Sequence, residues 1–524
     1  MSKRLIVFVM LALVLVAACS SEEAAQTPAA REEPLVSTYI MWQGFFDLDP
    51  AYAYASENTV LNQLYENLTY YNPQGSDEIL RPWLATSWEA NEDATEWTFH
   101  LREDVVFQDG TPFTSEAVKA TMDHYKGQEG AGCTWIWDAV EEVEILDDHT
   151  VKLLLSYGAP IDLIASATYC GAIMSPAVVD QPREWFFEGN GVGTGPYTIE
   201  SHEDGQRLIM TRFDDYWGGW KENQFDKIVY EIVSDPVVSR QMMEAGDADF
   251  WRGPPVDLVA ALDEMEELTV FNQPSFENMM YMLNTAKPPL DNKLVRQALA
   301  YSFPYDQYVE RSEGVYTQSR GAAPPGMWGH SDDLFQYHHD LDKAKELLAE
   351  AGHPDGGFEI QVTYLVDFPS QVWSIELWKF PLAELGIELN AQGMTFDALW
   401  ELAKSDPSAA QDIATFIWWP TWITPYDALL ALYHCEDEPF FNVTYWCNPE
   451  FDALIDDANV LTGTDREAAT QKFIAAQEIL LEEAPTMFLF DLPTTFVVRS
   501  DIDGVVLNSA YNNVISYYDL TTTR

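Results

Sequence analysis

The sequence predicts a mixed α/β fold, on three observations. Hydrophobic patterns of strand and helix period succeed one another along the chain. Capping residues and Gly–Pro stops bracket the helical stretches. Roughly 490 residues follow a polar N-terminal segment, more than a single core accommodates, so more than one domain is expected. Trp97, Phe99 and Leu101 alternate with Thr98 and His100, as in a half-buried strand. Asp109–Gly110 marks a turn, after which Thr114 is expected to cap a helix with Ala117, Val118 and Thr121 on one side. Asp291 is expected to open a second helix, with Leu294, Val295, Ala298 and Leu299 on its buried face. Asp342 starts a third, whose stripe is Ala344, Leu347, Leu348 and Ala351 and whose stops are Gly352 and Pro354. Thr464 and Glu467 read as a capping box for a helix through Ala469, Phe473, Gln477 and Leu480, ended by Pro485. No internal repeat at a solenoid period is visible.

The N-terminus has the form of a secretory leader. Lys3 and Arg4 precede an apolar run over residues 5–16, and the small Ala17 and Ala18 lead to Cys19. The apolar run is too short for a permanent membrane helix. A cysteine directly after the small pair resembles the lipobox of bacterial lipoproteins, which implies cleavage of residues 1–18 and acylation of Cys19. Residues 19–34 are expected to be a flexible tether, because they have almost nothing to bury.

With 85 acidic and 28 basic residues the formal charge is −57. Such a field makes nucleic acid and anionic membrane surfaces poor partners. The acids are spread along the chain, as a hydrated exterior requires. Four cysteines remain besides Cys19: Cys133, Cys170, Cys435 and Cys447. An even number in an exported chain predicts disulfides with three possible pairings. The simplest joins Cys133 to Cys170 and Cys435 to Cys447, worth about 4 and 3 kcal/mol by chain entropy. No Cys-x-x-Cys and no ligand-spaced histidine accompanies them, apart from the His434–Cys435 neighbours, so no metal and no cofactor is expected.

Motifs for catalysis fail in detail. Gly191, Gly193 and Gly195 form G-x-G-x-G, but Pro196 and a strand-like Tyr197-Thr198-Ile199-Glu200 follow, with no helix N-terminus for a phosphate. The carboxylate pairs Asp214–Asp215, Glu266–Glu267 and Asp456–Asp457 lie in polar stretches, as does His338–His339. Neither a Gly-x-Ser-x-Gly elbow nor a His-Glu-x-x-His helix occurs. No catalytic residue is assigned. A secreted hydrolase is the weaker reading, and a purely sensory or adhesive surface protein a third.

One cluster points to a ligand. Trp418, Trp419 and Trp422 surround Pro420 and Thr421, after a strand-like stretch over 413–417 and ahead of Pro425-Tyr426-Asp427. Three indoles in five residues make a rigid apolar platform at a strand end, where α/β proteins hold small molecules.

The order of segments resembles family 5 of the extracellular solute-binding proteins, the peptide-, oligopeptide- and nickel-type ABC importer class. Leu48-Asp49-Pro50 and Leu64-Tyr65-Glu66-Asn67-Leu68 resemble its opening. Leu84-Ala85-Thr86-Ser87-Trp88, the strand after it and Gln108-Asp109-Gly110-Thr111-Pro112-Phe113 resemble its most diagnostic stretch. Gly193-Thr194-Gly195-Pro196-Tyr197 with Asp215-Tyr216-Trp217, then Asn284, Pro289-Leu290 and Val295-Arg296-Gln297-Ala298-Leu299, then residues 342–352, follow in order. The resemblance runs from about residue 36 to 507.

The resemblance implies a two-lobed periplasmic-binding-protein-like fold of type II, of the large cluster with an extra subdomain. Lobe I would comprise 35–53, 189–283 and 489–524, an inserted subdomain 54–188, and lobe II 284–488. It implies no enzyme but a monomeric receptor, held outside the cell by its lipid. The receptor would close on a solute by a hinge and deliver it to a permease powered by an ATPase. In peptide-binding members an aspartate beyond the lobe II strand pairs with the ligand's amino terminus; counting back from Pro425, that position here is Thr421. Asp427 is the nearby substitute, with helix capping as its other role. The implied cleft residues are Trp42, Gln43, Tyr281, Asn284, Trp418, Trp419, Thr421, Trp422 and Asp427. Peptides lead as cargo, and oligosaccharides are the alternative because flat indole faces suit sugar rings.

Overall fold

A computed structural model describes residues 33–524 except 43, 45, 46, 54, 55, 129, 130, 132, 367 and 437–440. The leader, Cys19, all but the end of the tether, and Gln43 lie outside the described residues.

Among the described residues the largest sheet has eleven strands, one of them the short Thr317–Gln318, which pairs with Thr486–Arg499. One half holds, in spatial order, Tyr197–Glu203, Arg207–Arg212, Lys227–Ile232, Val36–Met41 and Phe250–Arg252. The other half holds Ile413–Trp418, Phe358–Leu365 and Ile387–Met394. Two long antiparallel strands, Leu268–Leu283 and Thr486–Arg499, lie between the halves and belong to both. Every residue of Ile413–Trp418 is buried, as in a strand covered on both faces, and its one polar side chain, Thr415, donates to Gln371 Oε1.

The register of the long pair shifts twice, at Pro274/Glu277 and at Met279/Met280, and the first, larger break is the telling one. Pro274 stands opposite Pro493, and the next pair is Glu277 with Leu492, which leaves Ser275 and Phe276 extra. Proline donates no ladder hydrogen bond and a bulge bends its strand, so the sheet is least continuous here. Val36–Met41 runs parallel to Lys227–Ile232 and Phe250–Arg252, and Phe358–Leu365 runs parallel to Ile387–Met394 and Ile413–Trp418. Arg252 pairs with Phe496 and Trp418 with Asn278, so both sets end beside the bulge.

A second, four-stranded antiparallel sheet is built from Ala85–Ala90, Glu96–Leu101, Thr150–Leu155 and Val140–Asp147. The expected alternation of Trp97, Phe99 and Leu101 is its buried face. Its core also contains the disulfide Cys133–Cys170; the second bridge, Cys435–Cys447, follows the helix Pro425–Tyr433.

Helical stripes match the periodicity, but three helix starts differ from expectation. Asn292, not Asp291, caps Lys293–Ser302, accepting from Leu294 N at 2.9 Å. Asp340, not Asp342, caps Leu341–Glu350 through Lys343 N at 2.8 Å. Asp465, not Thr464, caps Arg466–Glu483 through Ala468 N at 3.0 Å. Each start offers several polar residues, and the cap is the one whose extended backbone points its oxygen at a free N–H. Thr114 does precede Ser115–Gly127, without a side-chain capping bond.

The glycine motif serves packing. A Cβ on Gly193 would lie 2.1 Å from Leu64 O, and one on Gly195 2.4 Å from Gln63 O, so only glycine permits this backbone approach. Gln108 stitches the same junction, donating through Nε2 to Leu64 O, Gly195 O and Tyr197 O. Beside it the Glu66 carboxylate accepts from Thr194 Oγ1, Tyr216 Oη and Trp217 Nε1, each at 2.8 Å. Three motifs far apart in sequence thus meet on one buried acid. Burial raises its pKa to about 7 against those donors.

Candidate functional site

The parallel strands of both halves have their carboxyl ends beside the crossing, the position where open α/β sheets hold ligands. From the first half, Trp42 follows Val36–Met41 and is 43% exposed, an unusual state for an indole. Arg252 ends the neighbouring strand, half-buried. From the second half comes the tryptophan loop after Ile413–Trp418.

That loop divides its rings between cores. Trp418 is buried, packed near Phe416 and Phe441. Trp419 is half-buried and packs against two hydrophobic cores at once, that of the four-stranded sheet and that of the second half of the large sheet. Trp422 is 2% exposed within the core of the four-stranded sheet, and its Nε1 has no hydrogen-bond partner among the described residues. The loop therefore lies at the seam between the two sheets.

Asp427 holds the loop's shape. Its carboxylate accepts from Trp418 Nε1 at 2.9 Å and from Thr421 N at 3.2 Å, while Thr424 caps the helix Pro425–Tyr433. Asp427 is fully buried, and burial lifts its pKa to about 7 in spite of these donors. The half-buried Thr421 thus has its N–H committed to Asp427, and Asp427 has both oxygens occupied within the loop.

Tyr281 and Asn284 point elsewhere. The Tyr281 hydroxyl pairs with Ser374 Oγ at 2.6 Å, and its ring packs near Trp378 and Phe303 inside a core. Asn284 Nδ2 donates to Pro407 O at 2.8 Å and to Gln411 O at 3.3 Å. Both are buried away from the crevice end of the strand. The structure brings together Trp418, Trp419, Thr421, Trp422 and Asp427 in one loop, with Trp42 at a strand end across the crossing.

Sequence reasoning missed Arg252 and Glu277. Glu277 is the residue after the bulge, one position before the Asn278–Trp418 pair, which sets it beside Trp419 in register. It accepts a hydrogen bond from Asn512 Nδ2. Burial raises its pKa, and the Arg252 guanidinium draws it back. An acid directly ahead of Asn278 and the apolar, buried run over 279–283 was the available signal.

The three carboxylate pairs and His338–His339 are exposed. Among the described residues, no group of three or more His, Cys, Asp or Glu side chains is placed to hold a metal ion. No helix among them is long and apolar enough to cross a membrane.

Residues 80–440 match the profile of the bacterial extracellular solute-binding proteins, family 5. The chain belongs to this family. Its members are extracytoplasmic binding proteins that catalyse no reaction. The probable D,D-dipeptide-binding periplasmic protein DdpA of Escherichia coli K12 is 29% identical over 483 residues, spanning 90% of this chain and 91% of that one. Heme-binding protein A of Haemophilus influenzae is 27% identical with the same coverage of 90% and 91%. The fold matches DppA of Helicobacter pylori, solved in complex with the peptide STSA, at a TM-score of 0.80 and 22% identity, over 94% of this chain and 99% of that one. This family 5 receptor thus has the two-lobed architecture the sequence resemblance implied.

Proposed function

We propose that this protein is the lipid-anchored, extracytoplasmic substrate-binding component of an ABC importer, that it captures short peptides between its lobes, and that it hands them to a permease driven by an ATPase. The observation that carries the reading is the paired crossing. Two strands join the halves of one sheet, both have proline at the same register position, and the ligand-competent strand ends of both halves face that position. Rotation about Pro274–Phe276 and Leu492–Pro493 would open and close the crevice as a hinge. Peptides are favoured because relatives named for dipeptides and glutathione align along most of the chain. On this reading the hinge lies inside the two long strands, which moves the lobe boundaries from 283/284 and 488/489, as expected above, to the bulge near residues 275 and 492, and the four-stranded sheet belongs to the inserted subdomain.

The test combines thermal shift and small-angle scattering on the mature protein with pooled di- to tetrapeptides. Ligand must bind one hinge state better than the other, so a true cargo raises Tm and shrinks the radius of gyration together. A protein that neither stabilises nor contracts with any peptide pool, while contracting with an oligosaccharide, is a sugar receptor instead. Fatty-acid labelling that is lost in Cys19→Ala tests the anchor.

A further inference from the structure

Arg252 and Glu277 are charges left without each other. Arg252 closes the strand Phe250–Arg252 at the crossing, and among the described residues its guanidinium makes no hydrogen bond and no ion pair. Its charge is felt by Glu277, Tyr39 and Tyr169, so it lies close to all three without joining any. Nearly every other described arginine meets a carboxylate, as the acidic composition favours. None of its nitrogens is among the enclosed polar atoms that lack a partner, so the guanidinium reaches solvent and its five donors are open to an incoming acceptor. Glu277 is its counterpart on the far side of the bulge. Asn512 donates to Oε1, and Oε2 accepts nothing among the described residues.

Position adds to chemistry. Arg252 is carried by the first half of the sheet and Glu277 by the crossing strand as it enters the second, next to Trp419 in register. In the tryptophan loop, Thr421 carries no charge and its N–H is held by Asp427.

We propose that Arg252 and Glu277 form a two-charge clamp across the hinge, Arg252 receiving a carboxylate of the ligand and Glu277 its ammonium. This rests on the reading that a ligand sits between the lobes, and it names what that ligand carries: both charges, as in a short peptide with free ends. Each charge then gains the partner it lacks, and the ligand ties one lobe to the other. The guanidinium suits a carboxylate in bidentate fashion. Desolvated charge contacts of this kind are worth enough that blocking one is read easily.

The test uses tri-alanine with free ends, its N-acetyl form and its C-terminal amide, titrated calorimetrically into wild type, Arg252→Gln, Arg252→Lys and Glu277→Gln. Wild type is expected to bind each blocked peptide about tenfold or more weaker than the free one. Arg252→Gln should lose only the discrimination against the amide, and Glu277→Gln only that against the acetyl form. Arg252→Lys should restore part of the first. Wild type that binds free and blocked peptides alike overturns the clamp and leaves the receptor reading standing, and this arm needs no variant to fold. Folded variants that discriminate as wild type does overturn it as well. Wild type that binds none of the three, and no other peptide, overturns peptide reception and the clamp with it.

Discussion

Trp418 Nε1 donates to Asp427 Oδ2 at 2.9 Å, tying the last residue of a buried strand to the first turn of the helix that follows. The other oxygen takes Thr421 N–H, so one side chain fixes both ends of the intervening loop. Asp427→Ala leaves an indole N–H and a backbone N–H unsatisfied in a closed environment. It is expected to cost about 2–4 kcal/mol in chemical denaturation. Asp427→Asn keeps one acceptor and should cost less. Equal stability of all three proteins would mean that the loop does not depend on this carboxylate.

Trp418 and Trp422 should respond differently to substitution although both are buried. Trp418 combines core packing with a hydrogen bond, so Trp418→Ala is expected to destabilise by about 3–5 kcal/mol, read from the denaturation midpoint at constant m-value. Trp422 Nε1 has no hydrogen bond among the described residues to lose. Trp422→Phe keeps an aromatic ring but removes part of the indole from a closed core, so it should cost about 1–3 kcal/mol, less than truncation to alanine. A larger loss in ligand affinity than in stability for Trp422→Phe would identify its N–H as a ligand donor.

Arg466 at the start of helix Arg466–Glu483 pairs with Asp162 at 2.6 Å, and Asp162 belongs to the short helix Ile161–Ile164 beside the four-stranded sheet. Gln74 Nε2 reaches Pro325 O at 3.4 Å across the same seam. These polar contacts join the region of the four-stranded sheet to elements on the far side of the crossing, and belong to the closed state alone if the proposed hinge opens. A partly exposed pair is worth under about 1 kcal/mol, so Arg466→Ala should weaken ligand binding by about two- to fivefold. The free variant should also scatter with a larger radius of gyration than wild type. Affinity and radius both unchanged would remove the pair from the closure equilibrium.

How far the sequence could be read follows from the range of the forces involved. Local signals were legible: the alternation at Trp97, Phe99 and Leu101 and the stripe of Ala344, Leu347 and Leu348 needed only neighbours three or four positions away. Helix starts were less so, because Asp291 and Asn292, or Thr464 and Asp465, compete on nearly equal terms and backbone geometry selects one. The cleft was hardest. Tyr281 and Glu277 share a strand four residues apart, yet one ends in a core with Trp378 and the other beside the bulge. What separates them is a register set by strands more than a hundred residues away. Arg252 has meaning only once Phe250–Arg252 is known to end at the crossing. Glu66 was visible as part of a motif, while the reason for the motif, three donors from two later segments, was not.

Three buried acids give stability a definite dependence on pH. Burial is the leading cause in each case, raising Glu66 and Asp427 to about 7 and Asp491 to about 6, from ordinary values of 4.5, 3.8 and 3.8. In the unfolded chain these groups release their protons near pH 4, whereas the folded protein keeps them to near pH 6–7. Between those limits the native state binds more protons than the unfolded state, so stability falls as pH rises from about 4.5 to 7. The protein should therefore melt at a higher temperature at pH 5 than at pH 7.5, the reverse of the behaviour of a salt-bridged carboxylate. The overall charge of −57 contributes a slope of the same sign through surface repulsion, so wild type alone does not isolate the buried groups. Glu66→Gln does: it removes one titration and leaves the exterior almost unchanged. Its Tm should lie furthest below that of wild type at pH 5, with the gap narrowing towards pH 7.5 as wild-type Glu66 ionises in its closed site. A gap that stays constant across that window would show that Glu66 does not titrate there.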